Sequence, residues 1–213
     1  MKEKTENKKD KSGQRTLFMS VFLSSPGVIV VALGLLVGRS STQLADFIRR
    51  SAELVAMIVS WLMYLATHKE GKEVDEIKKT RLEHIAKYSV GAAMCLSGLG
   101  MLLVSFLSFG GEKGNVIGGL IIAVLGVTTN SWFWYRYSKL NKEEPNMILA
   151  VQSKLYRAKS LVDICVFLAL ATIMIAPGSL AATYMDVAGS VIVSLYLIYT
   201  GVTTLFGKKD EVS

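Results

Sequence analysis

The chain has 213 residues, 51% of them hydrophobic, with a formal net charge of +7 and a mean hydropathy of +0.41. Its apolar residues are blocked into long runs, which excludes an ordinary soluble domain. Its basic residues cluster at one set of segment ends, so the positive charge is not read as a nucleic-acid surface and no nucleic-acid partner is expected.

Residues 1–15 carry Lys2, Lys4, Lys8, Lys9, Lys11 and Arg15 and are expected to be a disordered, basic cytoplasmic tail. Six apolar spans follow: Leu17–Val37, Leu44–Ala66, Ser89–Leu107, Val116–Tyr135, Leu161–Ala176 and Tyr184–Phe206. A helix needs about 20 mostly apolar residues to cross ~30 Å of hydrocarbon. Four spans meet that outright, and the second and fifth meet it only with their charged ends included. The first span follows the tail without a small-residue cleavage signature, which argues against a removed signal peptide.

Gly34 and Gly38 make a G-x-x-x-G in the first span, and glycines recur in the third and fourth, where small residues let helices approach closely. Trp61, Tyr64, Trp132, Trp134, Tyr135 and Tyr137 are expected to form an interfacial aromatic belt. Cys95 and Cys165 fall in apolar spans with no metal-ligand spacing between them, so both are expected to be reduced packing residues. After residue 207 only a short tail, 208–213, is expected, with no C-terminal cytoplasmic domain.

The expected fold is therefore all-α: a polytopic six-helix transmembrane bundle over residues 16–207, its first partner the lipid bilayer. Lys and Arg crowd the N-terminal tail, the connections after the second and fourth spans, and the C-terminus. The opposite connections hold only Arg39 and Lys113. By the positive-inside rule both termini are cytoplasmic, in a protein of the cell (plasma) membrane.

Charges inside the second and fifth spans are the feature most telling of function. A charge at a helix centre costs at least ~2.5–3.5 kcal/mol on insertion scales, so it is expected to face a partner or a watery path. At the i,i+4 spacing that shares a helix face, Asp46 pairs with Arg50, Arg49 with Glu53, and Lys159 with Asp163. One reading is a polar transport site between helices two and five. The other is internal neutralisation, with Lys154, Arg157 and Lys159 snorkelling to the cytoplasmic interface. At ~1.5 Å per residue Glu53 lies roughly 13 Å, and Lys159 roughly 25 Å, from the outer boundary. The two meet only if the fifth helix runs well past its apolar part or the inner cavity is open. Asn130, in the polar run Thr128–Ser131, either hydrogen-bonds between helices or lines the path. Asp186 is expected to cap or anchor the outer end of the last span.

These residues resemble the cation diffusion facilitator (cation efflux) family in its transmembrane domain. Ser41-Thr-Gln-Leu-Ala-Asp46-Phe-Ile-Arg49-Arg-Ser-Ala-Glu53 is similar to that family's second helix. Lys159-Ser-Leu-Val-Asp163-Ile-Cys-Val is similar to the fifth, and Met185-Asp186-Val-Ala-Gly-Ser to the sixth. The resemblance implies six helices, cytoplasmic termini, a homodimer and transport of a divalent ion, commonly in exchange for protons. It places the family's metal-ligand positions on Arg49, Glu53, Leu155 and Lys159, of which only Glu53 could ligate a metal. Shifted by one turn, the fifth-helix position becomes Asp163. Zinc normally takes three or four N, O or S donors, so no metal site is assigned and no cofactor is expected; a divalent metal enters only as cargo.

Two functions remain open. One is a secondary transporter whose substrate has drifted from zinc, with Glu53 as the exchangeable carboxylate and Arg49 or Lys159 as a built-in cation. The other is a non-transporting relative whose salt bridges replaced the metal and which serves as a structural or regulatory membrane partner. An enzyme is not expected. His68 and His84 lie away from the intramembrane acids, and no H-E-x-x-H, G-x-S-x-G or phosphate-loop motif occurs.

Overall fold

In the computed structural model the described residues are 2–37, 41–68, 75–107, 116–175 and 180–207; the side chains of Asp46 and Asp186 and the tail 208–213 lie outside the description. Six helices follow in order: α1 Lys2–Val37, α2 Ser41–Thr67, α3 Glu76–Leu107, α4 Val116–Glu143, α5 Met147–Ile175 and α6 Leu180–Phe206. The protein is an all-α, six-helix membrane bundle.

Several helices outrun their apolar cores. The segment expected to be a disordered tail over residues 1–15 is helical from Lys2 onward. Its last turns are tied down by Arg136 of α4, which donates to the Ser12 hydroxyl at 2.7 Å. Helix α5 starts at Met147, well before the apolar run at Leu161. Asn146 explains that start: its Oδ1 accepts the backbone N–H groups of Ile148 at 2.9 Å and Leu149 at 3.4 Å, an N-cap that satisfies donors with no partner inside the helix. The turns that follow are packed, Met147 to Gln152 all being buried.

Among the described residues α1, α3, α5 and α6 are long and apolar enough to cross a membrane. The fifth span thus qualifies in full, its charged turns included. Helix α5 is continuous past its charges, whereas α4 carries the polar run Thr128–Ser131 at its centre.

Helix α1 contains Pro26, which cannot donate to the carbonyl four residues earlier. Ser25 Oγ donates to that Phe22 carbonyl at 2.9 Å, so the freed acceptor is satisfied inside a span that offers no water.

The most extensive packing is α4 on α5, α3 on α6 and α2 on α3; α1 with α4 and α2 with α5 meet only slightly. Along the α4–α5 seam, Ser131 and Ser160 hydroxyls lie 2.6 Å apart and those of Ser138 and Ser153 2.7 Å apart, small polar pairs that bind helices in lipid. The core holds Phe133, Tyr137 and Tyr156, with centroids 4.9 to 6.1 Å apart. Tyr137 donates to Ser20 Oγ of α1 at 2.8 Å. Tyr64 and Tyr137 therefore belong to the core and not to an aromatic belt, while Trp132, Trp134 and Tyr135 do face outward. Cys95 and Cys165 are free thiols.

Candidate functional site

The slight contacts of α1 with α4 and of α2 with α5 leave a cavity of about 470 Å³ among these four helices. Its charged lining is Arg49, Arg50 and Glu53 from α2 with Lys159 and Asp163 from α5. Asn130 and Gly126 of α4 complete the polar side.

Glu53 is 4% exposed and sits at the centre of the charges. Arg49 Nη1 lies 3.5 Å from its Oε1, the i,i+4 pair expected from spacing. Lys159 Nζ reaches across from α5 to within 3.4 Å of its Oε2. Ser97 of α3 donates to Oε1 at 2.9 Å. Lys159 also lies 5.1 Å from the centroid of the Tyr156 ring, whose face attracts its charge. An ion that has left water is tolerated only when paired and hydrogen-bonded, and Glu53 meets both conditions.

Asp163 has different company. The expected pairing with Lys159 on its own helix is not made, because Lys159 turns to Glu53 instead. Asp163 Oδ2 accepts a 2.6 Å bond from Asn130 Nδ2 across the α4–α5 seam. Asn130 thus bonds between helices, one of the two roles open to it, and its side chain also borders the cavity. Gly126 lets the carboxylate lie directly on α4: a Cβ there would stand 2.7 Å from Oδ2 and 2.9 Å from Cγ. A Gly126→Ala variant is accordingly expected to push Asp163 off Asn130 and cost about 1 kcal/mol, on the scale of one hydrogen bond. Combining it with Asn130→Ala should add little, since both changes remove the same bond; thermal melts of the two single variants and the double variant check this.

Of the positions that the resemblance assigned to metal ligands, Arg49, Glu53 and Lys159 converge on one junction. Leu155 does not; it is fully buried in the core, away from the cavity. Asp46 is on α2 by its backbone, and its side chain lies outside the described residues. The sequence reading missed Ser97, Gly126 and Tyr156. Only their placement opposite charged groups marks them, since a serine in a glycine-rich span carries no signal of its own.

A family model described as the cation efflux transmembrane domain matches residues 17–207. The chain belongs to the cation efflux family. No curated protein matches it. In this cation efflux protein, then, the junction of helices two and five is built from a carboxylate and two fixed cations. Among the described residues no three His, Cys, Asp or Glu side chains converge where they could hold a metal ion.

Proposed function

We propose that this cation efflux protein is a secondary transporter whose cargo occupies the cavity between α2 and α5, with Asp163 as the exchangeable carboxylate. The observation that carries this reading is the cavity itself: a space of about 470 Å³ lies against Glu53 and Asp163 instead of being filled by side chains. The two acids then divide the work. Glu53, bound by Lys159, Arg49 and Ser97, is the fixed staple, and the Lys159 ammonium takes the place of a resident cation. Asp163, whose hydrogen-bond partner among the described residues is a neutral amide, can take a cation or a proton but not both. That exclusivity is what cation–proton exchange requires, and alternating access follows if the helices around the cavity rock to face each side in turn.

The same reading places both termini in the cytoplasm and the protein in the plasma membrane. The topology is supported by Arg136 bonding to Ser12, which joins the basic start of α1 to the basic end of α4, and by Lys87 donating to the Gly207 carbonyl at 2.8 Å, which joins the basic start of α3 to the end of α6. A homodimer belongs to the reading on the family resemblance alone.

The closed Arg49–Glu53–Lys159 network favours a second reading, in which the salt bridges are a structural staple of a non-transporting membrane partner. Proteoliposomes with a trapped pH indicator separate the two. Under an imposed pH gradient, addition of one cation class from an inorganic and organic panel should move protons above the rate of empty vesicles. Asp163→Asn should abolish that flux. A flat trace across the whole panel would leave the structural staple as the function.

A further inference from the structure

We propose that the Asp163 end of the cavity binds a singly charged organic amine with an apolar body, not a bare divalent metal ion; this rests on the cavity being the cargo site.

Charge is the first argument. Glu53 is already committed to Arg49 and Lys159, so one carboxylate remains for cargo. The charged lining of Arg49, Arg50, Glu53, Lys159 and Asp163 already carries a net charge of +1, so a singly charged cargo on Asp163 adds the least positive charge that any cation can. A divalent ion would keep an excess positive charge one helical turn from the Lys159 ammonium, in surroundings that screen poorly. Donor number is the second argument. Zinc takes three or four N, O or S ligands, and among the described residues no three His, Cys, Asp or Glu side chains converge to supply them. An ammonium group asks for less: Asp163 Oδ1 and Asn130 Oδ1 stay available as acceptors once Asn130 Nδ2 is spent on Asp163 Oδ2.

Size and walls point the same way. About 470 Å³ falls in the ~300–1,000 Å³ range of small-molecule sites, against ~30 Å³ for the share of one water. Beside Asp163 the walls are aliphatic, Ile122 and Leu125 from α4 with Val166 and Leu170 from α5. Opposite them stands Leu23 of α1. Leu23, Ile122 and Leu125 are at the same time among the outward-facing apolar residues, and α1 touches α4 only slightly. The cavity therefore reaches the lipid-facing surface between α1 and α4, a route suited to an amphiphilic amine already partitioned into the bilayer.

Equilibrium dialysis of the purified, detergent-solubilised chain with radiolabelled phenethylamine tests the proposal. Saturable binding near one per chain is expected, weakened roughly tenfold or more by Asp163→Asn, as loss of a charged hydrogen-bond partner implies. Leu125→Trp, which narrows the apolar wall and leaves every charge in place, should weaken it too. Neither zinc nor uncharged 2-phenylethanol should compete. Amine binding indifferent to both variants would lie elsewhere and overturn the proposal. Zinc bound or moved in an Asp163-dependent way, with no amine bound, would overturn it while leaving the cavity as the transport site. If no cation of either kind is bound or moved, the proposal and the transporter reading fall together.

Discussion

Glu53→Gln is expected to destabilise the solubilised protein by about 3–5 kcal/mol, the usual cost of removing one partner from a buried ion pair. Most of that loss should return when Lys159→Gln is added. The single change strands two cations, Arg49 and Lys159, around a buried neutral amide. The double change removes one charge of each sign and restores the junction's net charge. Midpoints from heated samples run on size-exclusion chromatography decide the matter. A double variant that melts at or below Glu53→Gln would mean that Lys159 is held by something other than Glu53. The structure gives this variant a larger expected effect than any change at Asp163, whose hydrogen-bond partner is a neutral amide.

The second large effect lies away from the cavity, where α3 and α6 touch backbone to backbone. A Cβ on Gly201 would stand 2.6 Å from Cys95 Sγ, 2.9 Å from the Cys95 nitrogen and 2.9 Å from the Gly91 oxygen. Two of those three atoms are main chain, so no rotamer change relieves the clash. Gly201→Ala should therefore force the helices apart, at the ~1–3 kcal/mol typical of overpacking. Gly189 on the same helix is the control. Its added Cβ would meet only Cys165 Cβ at 3.8 Å, an ordinary contact, so Gly189→Ala should leave the melting midpoint nearly unchanged. Equal effects from the two alanines would show that helix propensity, not the α3–α6 approach, governs the response. Because α3 also carries Ser97, displacement of α3 by Gly201→Ala is expected to loosen the hydrogen bond to Glu53.

The site was partly legible in the chain. Arg49 and Glu53 stand four residues apart on one helix, and backbone geometry alone brings such residues together. The same rule applied to Lys159 and Asp163 failed. A lysine stem is long enough to leave its own helix, and the buried Glu53 carboxylate, already desolvated, is the stronger attractor. The depth estimate that separated Glu53 from Lys159 assumed a fifth helix beginning at its apolar run. The Asn146 cap and the buried turns from Met147 let α5 extend on the basic side, and Lys159 meets Glu53 there. Leu155 was assigned to the site by family position, yet its face of α5 points into the core.

What the chain by itself determined is its solvent and its class. Long apolar runs require a bilayer, and a bilayer admits helices because every backbone polar group must be satisfied within its own segment. Charges within those runs marked two helices whose charged side chains meet, since hydrocarbon makes an unpaired charge costly. What only the tertiary structure decided is who partners whom. Whether Glu53 is stapled or open, whether Asp163 keeps a cation or an amide, and where a cavity remains all depend on side chains from different helices meeting in three dimensions. Periodicity along one chain records which face a residue occupies; it holds no information about what stands opposite.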